Sequence, residues 1–563
     1  MSQATNGSND ASMRELDVII VGAGFSGLYM LYQLRNQMGL NTRVYEAGDG
    51  VGGTWYWNRY PGARCDSESY FYSYSFSEEL EQEWDWTSKY PGQPEILRYL
   101  NHVADRFELR SHIQFNSRVV EATFNEATNR WEVTLESGER VTAPFLVSGV
   151  GCLSAQNVPA FKGLESFEGE CHHTSAYPHE GVDFSGKRVG LIGTGSTGIQ
   201  ATPVIAAEAD HLTVFQRTPN FSIPARNEPL DPEHWAEIKR NYRDIRQQSR
   251  DSGFGFPFTV IERPLTETSA EDVQEILEHN WELGGFRFIF GSFGDVMSDE
   301  KANDVIAEFT RNKIRQIVKD PATAEKLCPH GYPLGAKRLP IDTDYFETYN
   351  RDNVELIDVR EAPIAEITPK GLQLEDGSQF ELDTIIFATG FDAMTGSLLK
   401  MNITGRGGLS LADKWAEGPK TFLGLQIAGF PNLFTITGPG SPSVLSNMPV
   451  AIEQHVDWIA DCIRYLREKK LARIEATVDA EENWVDHVRE VSVGTVYHKA
   501  DSWYVGANIP GKKRVFMPYV GGLDQYRDKC DEVARKDYEG FELRTSSGSG
   551  PSEKYTECPP LTS

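Results

Sequence analysis

Two glycine loops of the form GxGxxG, each set directly behind a strand-like run, limit what this chain can fold into more than any other feature. The first is Gly22-Ala-Gly24-Phe-Ser26-Gly27, after Leu16-Asp-Val-Ile-Ile-Val21. The second is Gly193-Thr194-Gly195-Ser196-Thr197-Gly198, after Lys187-Arg-Val-Gly-Leu-Ile192. The first run, β-branched and apolar, reads as a strand buried on both faces, which is the habit of parallel sheets, and the second as another strand. Leu28, Leu31 and Leu34 then recur at helical spacing, so the order is strand, tight turn, helix. The expected fold is α/β, with two Rossmann-like dinucleotide-binding domains.

The glycines let the backbone turn sharply and approach a pyrophosphate lying on the helix N-terminus. Behind the first loop, the strand Arg43-Val-Tyr45 ends in Glu46, twenty-two positions after Gly24, the distance expected of a ribose-binding carboxylate. Behind the second, Leu212-Thr-Val-Phe215 ends in Gln216-Arg217-Thr218. An arginine here accepts a 2′-phosphate that a carboxylate would repel. The first loop is therefore assigned to FAD and the second to NADPH. Pro203, inside the second helix, predicts a local kink.

The stretch Gly52-Gly53-Thr54-Trp55-Tyr56-Trp57, continuing through Tyr60-Pro61-Gly62 to Arg64-Cys65-Asp66, suits backbone approach to the rest of FAD. No CxxxxC pair follows, which argues against dithiol redox chemistry. Tyr70, Tyr72, Tyr74 and Phe76 alternate with period two and read as strand packing. The seven cysteines show no metal-ligand spacing and suit reduced thiols. At 563 residues the chain is long enough for several domains, and its net charge of −27 argues against nucleic acid as a partner. No apolar run approaches the ~20 residues that span a bilayer, and the N-terminus has no signal-type apolar core, so a cytoplasmic protein without a membrane partner is expected.

Fifteen residues ahead of the second loop ends the run Phe167-Glu-Gly169-Glu-Cys-His-His173-Thr-Ser-Ala-Tyr177-Pro178. It resembles the FxGxxxHxxxW fingerprint of type I Baeyer–Villiger monooxygenases, with Tyr177 in place of tryptophan. The Gly53–Asp66 stretch resembles a second signature of that family. Ala388-Thr389-Gly390 resembles the ATG motif of the wider flavin-monooxygenase superfamily.

The resemblance implies that Ala336-Lys337-Arg338-Leu-Pro-Ile-Asp342 carries the catalytic Arg338, paired with Asp66. It implies Lys337 with Arg217 and Thr218 at the 2′-phosphate, Arg64 and Trp503 at NADP, and Tyr72, Val119 and Met448 near the flavin. His173 is expected to link domains rather than titrate. The implied reaction inserts one oxygen atom of O2 beside a ketone carbonyl, giving an ester or lactone through a C4a-peroxyflavin stabilised by Arg338. The loop Gly438–Asn447, with Ser443, Val444 and Leu445, is expected to line a pocket for aryl, cyclic or bulky hydrophobic ketones. A monomer is expected. The alternatives are an N- or S-oxygenating flavin monooxygenase and, from another class, a non-catalytic redox sensor.

The expected domains are FAD-binding residues 15–160 and 385–540, NADP-binding residues 161–226 and 329–384, and a helical insertion over 227–328. Helical spacing marks His234–Ser249, Asp272–Trp281 and Asp299–Val318 within the insertion. Residues 1–14 and 541–563 are expected to be disordered.

Overall fold

The computed structural model describes residues 13–545. Its first sheet is wholly parallel, in the order Leu433–Thr435, Phe145–Ser148, Val18–Val21, Thr42–Tyr45, Ile113–Gln114. Val18 and Ile20 pack on one face against the helices Phe25–Leu31 and Met448–Glu468, while Ile19 and Val21 pack on the other with Trp131 and Val133. Both faces are covered, which is why the run carries no polar alternation. Each such side chain stabilises by about 1.5–3 kcal/mol on full burial.

The second sheet is also parallel, in the order Val354–Asp358, His211–Gln216, Arg188–Ile192, Thr384–Phe387, Glu170–His173. Thr384–Phe387 pairs with Arg188–Ile192 and so lies inside this unit, whereas the sequence boundary at 384/385 cut through it. Leu382, Ile385 and Phe387 pack with Phe167 in the same apolar cluster, which holds the strand there.

Between the sheets' chain segments lie the helices Pro232–Arg240, Tyr242–Asp251, Ala270–Leu283, Arg287–Phe290, Glu300–Ile317 and Pro321–Leu327. The parallel pair Ile223–Pro224 with Ile341–Asp342 closes the base of this insertion. The expected His234–Ser249 helix breaks at Asn241, whose ψ of 9° leaves helical geometry. The helix Ser196–Glu208 runs through Pro203 as one element.

Three further expectations are corrected, two of them at the chain's ends. Tyr70–Phe76 is not a strand: Ser69–Phe71 is a 3-10 turn, and the Tyr74 amide donates to the Tyr99 hydroxyl at 3.0 Å instead of to a neighbouring strand. Its alternation reflects an aromatic cluster with Phe25, Tyr29 and Tyr32. Phe541–Arg544 is not part of a disordered tail, because it pairs antiparallel with Arg473–Ala476 and packs Phe541 and Leu543 on the core. At the other end, Arg14–Glu15 pairs with Arg140–Ala143. The remaining expectations of disorder, at 1–12 and 546–563, lie outside the described residues.

Candidate active site

Both glycine loops sit at the carboxyl ends of their strands, where ligands of open α/β sheets bind. A Cβ on Gly27 would stand 1.7 Å from the Gly22 carbonyl oxygen, and one on Gly198 would stand 2.1 Å from that of Gly193. Only glycine lets helix and loop approach so closely. Gly24 meets Gly53, where a Cβ would come within 2.8 Å of the Gly24 Cα, so the first loop and the Gly52-Gly53 pair form one backbone surface. Helices begin at Gly24 and Gly195 without any side-chain cap, which leaves their first amides free for phosphate oxygens. No atom lies within 4 Å of where a Cβ of Gly195 would stand. These residues fit two dinucleotides.

Glu46 is buried at the first loop, and its carboxylate accepts from the amides of Ala23 at 2.7 Å and Gly48 at 2.8 Å. It thereby braces the loop. Burial raises its pKa, against the pull of those two amides. Along the Gly52–Asp66 stretch, Thr54 is exposed, Trp55 donates from Nε1 to the Tyr72 hydroxyl at 3.3 Å, and the Tyr56 hydroxyl donates to Asp49 at 2.5 Å. Trp57 packs edge-on against Tyr56, and Val119 is buried under the first sheet. Ser26 is buried against Gly149.

At the second loop, the Thr194 hydroxyl donates to the Thr218 carbonyl at 2.9 Å. Thr218 and Lys337 share the wall of a cavity of about 970 Å³ that also holds Tyr332, Trp484 and Asp501. Lys337 is held below the usual lysine range, first by burial and then by repulsion from Arg217. Two cations placed this close make the local potential positive.

The two units meet where Gln200, on the helix behind the second loop, accepts from the Tyr60 hydroxyl at 2.8 Å and donates to the Arg64 carbonyl at 3.1 Å. Next to this seam the Arg338 guanidinium donates to Asp66 at 3.0 Å and to the Val444 carbonyl at 3.3 Å. The Arg338 side chain is 31% exposed, and its partial burial works against the charge, yet Asp66 outweighs this and leaves the pKa above the ordinary arginine value. Burial raises Asp66 in turn, with Arg338 opposing.

Val444, Leu445, Met448 and Trp503 join Cys152, Met394 and Tyr504 in one apolar cluster. Ser443 is buried, with its hydroxyl 3.5 Å from the Cys152 sulfur. Three residues at the site were given no role from the sequence, although Asn447 ends the loop expected to line the pocket. Tyr504 is buried, lies tilted at 49° against Trp503 with ring centroids 4.3 Å apart, and sits in the electrostatic field of Arg338. Phe286, from the insertion, lies with its ring centre 5.6 Å from the Arg338 guanidinium carbon. Asn447 donates to the carbonyls of Phe71 at 2.7 Å and Gly255 at 3.1 Å. The aromatic spacing of Phe254-Gly-Phe256-Pro-Phe258 and Phe286-Arg-Phe288-Ile-Phe290 was the available clue to the insertion's part.

The fingerprint run lies against the second unit. His173 Nδ1 accepts from the Ser175 amide at 3.2 Å, and Nε2 sits 3.3 Å from the Asn157 carbonyl and 3.2 Å from the Thr389 hydroxyl. Burial lowers its pKa, with the contact to the Asn157 carbonyl opposing. A Cβ on Gly169 would stand 2.4 Å from the Asp383 carbonyl, and Phe167 packs in the adjoining cluster. Tyr177 is buried in the core of the second unit, its hydroxyl without a partner among the described residues, while Pro178 borders a surface groove.

Residues 15–226 match the family model described as flavin-binding monooxygenase-like. The chain is 48% identical over 525 residues to a Baeyer-Villiger monooxygenase of Pseudooceanicola batsensis, covering 93% of this chain and 95% of that one. It is 44% identical to cyclohexanone 1,2-monooxygenase of an Acinetobacter species, covering 94% and 97%. Among solved structures, oxidized steroid monooxygenase bound to NADP is 52% identical, with a TM-score of 0.90 over 94% of this chain and 100% of that one.

Proposed function

The chain belongs to the FAD- and NADPH-dependent Baeyer–Villiger monooxygenases, and on that premise we propose that Arg338, held by Asp66, is the residue on which its oxygen insertion turns. The overall reaction consumes a ketone, O2, NADPH and a proton, and yields an ester or lactone, NADP⁺ and water. When bound, the two cofactors supply the electrons and the oxygen activation. The chain's own part is charge, position and exclusion of water.

A guanidinium offers five N–H donors and keeps its charge throughout the working pH range. Two of them go to Asp66 and Val444, which leaves the rest for oxygen atoms that gain negative charge beside the ketone carbonyl. Donors fixed in a dry site stabilise such charge far better than water does. Asp66 fixes the fork's direction and offsets the cost of burying it. The observation that carries this reading is the Arg338–Asp66 pair set between the two glycine loops.

Arg217, Lys337 and Thr218 would hold the 2′-phosphate, and Gly22, Gly24, Gly27 and Glu46 the flavin nucleotide. Val444, Leu445, Met448 and Trp503 support a pocket for hydrophobic cyclic, aryl or bulky ketones. No helix among the described residues is long and apolar enough to cross a membrane. We take the enzyme to be a cytoplasmic monomer, with cell fractionation and sedimentation velocity as the checks.

The test is turnover of cyclohexanone, phenylacetone and a steroid ketone with NADPH under ¹⁸O2. An ester or lactone carrying one ¹⁸O is the expected product. Oxides of added amines or sulfides, with no ester from any ketone, would overturn the reading.

A further inference from the structure

Two residues beyond Asp66 stands a second buried carboxylate, Glu68, whose side chain is 5% exposed. It belongs to the flavin-side segment, yet its partner comes from the insertion. Arg287 reaches Glu68 with both terminal nitrogens, NH1 to Oε1 in close contact and NH2 to Oε2 at 3.4 Å. No other ion pair reaches Glu68 among the described residues.

A buried carboxylate without a counter-charge is strongly destabilised, so Glu68 fixes where the insertion must sit. The residue before Arg287 is Phe286, the ring that lies on the Arg338 guanidinium. Arg287 itself lies over the Phe258 ring at 5.0 Å, and Phe258 stacks on Phe256 at 5.3 Å. Contacts therefore run in a closed ring from Asp66 to Arg338, to Phe286, through the chain to Arg287, to Glu68, and back along the chain to Asp66. Both cations of the ring come from outside the flavin-side unit, and both carboxylates from within three consecutive residues of it.

We propose that Glu68 and Arg287 are positioning residues that clamp Phe286 over Arg338, keeping water from the guanidinium while oxygen is transferred. The proposal rests on the Baeyer–Villiger reading above. Its consequence concerns coupling, the share of consumed NADPH that ends as ester rather than hydrogen peroxide. Loosening the clamp admits water and lowers that share, without touching the step in which NADPH reduces the enzyme.

The experiment compares the holoenzyme with Arg287→Ala, Arg287→Lys and the charge swap Glu68→Arg/Arg287→Glu, at saturating cyclohexanone. Ester, peroxide and anaerobic reduction by NADPH are each measured. Arg287→Ala is expected to lower the ester-to-peroxide ratio at least fivefold, with anaerobic reduction within twofold of wild type. Arg287→Lys and the swap are expected to recover at least half of the lost coupling. Unchanged coupling in Arg287→Ala, or reduction that falls in parallel with it, would overturn the proposal. Should Arg287→Ala fail to fold, the neutral pair Glu68→Gln/Arg287→Met replaces it and is held to the same outcomes. A wild type that makes no ester counts against the underlying reading instead, so the two failures are distinct.

Discussion

Arg338 and Asp66 stand 272 positions apart in the chain, yet their side chains meet at 3.0 Å across the seam between the two nucleotide-binding units. Each unit supplies one half of the pair, so charge at the site depends on the units being docked. Removing the guanidinium deletes the donors and leaves Asp66 buried without its partner. Arg338→Ala is expected to cut ester formation by roughly 10²–10³, the loss seen for single oxyanion donors. Reduction by NADPH should continue, as followed by anaerobic flavin bleaching. Arg338→Lys is expected to recover little, because a lysine cannot reproduce the planar fork.

Arg217 and Lys337 predict the choice of nicotinamide cofactor. Each offers a charged hydrogen bond to a 2′-phosphate, worth about 1.5–3 kcal/mol. Arg217→Ala and Lys337→Ala should each lower kcat/KM for NADPH by roughly 10–100-fold, following from that range. The value for NADH should stay nearly constant. A parallel loss with both cofactors would remove these residues from the phosphate site.

Gly27→Ala tests the first loop by sterics alone, since its Cβ would stand 1.7 Å from the Gly22 carbonyl oxygen. The variant is expected to purify without flavin, shown by loss of absorbance near the yellow band. Gly253→Ala, whose φ is not left-handed and whose Cβ would meet nothing nearer than Asp524 Oδ1 at 3.5 Å, serves as the control that keeps its flavin.

Glu453 gives stability a pH dependence. Burial raises its pKa to about 7, against two hydrogen bonds from Ser75 at 2.7 and 2.6 Å. The folded state therefore binds a proton that the unfolded chain, with a glutamate pKa near 4.3, has released. This stabilising contribution is complete below about pH 4.3 and is lost as pH rises to about 7. Glu453→Gln, which cannot ionise, should show a smaller fall in Tm between pH 5 and 8 than wild type. An equal fall would show that Glu453 is charged in the folded protein throughout.

Tyr177 answers for the fingerprint's missing tryptophan. Its hydroxyl is buried without a partner among the described residues, and such a group costs about 1–3 kcal/mol. Tyr177→Phe is expected to raise Tm and leave coupling unchanged, because the ring packs in the second unit's core rather than beside Arg338. A coupling loss with Tm unchanged would assign the hydroxyl a part in the reaction.

The sheets were legible because their signal is local: β-branched runs, a glycine turn and an apolar helix stripe each act within a dozen residues. Glu46 and Arg217 were legible for the same reason, each ending a strand at a fixed distance from its loop. Tyr70–Phe76 was misread because period two records which side chains are buried, not whether a strand edge is available to pair. Phe541–Arg544 was missed because its partner strand lies some seventy positions earlier in a polar context. The insertion's contribution was the least legible. Phe286 lies beside Arg338, and Arg287 on Glu68, through contacts between distant segments that no local spacing encodes.

The outer strand Leu433–Thr435 has a consequence for biosynthesis. It completes the first sheet from beyond the entire second unit, whose strands all lie between Glu170 and Phe387. On the ribosome, the later-starting unit can therefore close while the earlier one still lacks an edge. Domains fold as units once their residues have emerged. NADPH's platform is thus built ahead of the flavin's, and a translation pause between Phe387 and Leu433 would leave a chain with a finished second fold and an open first one.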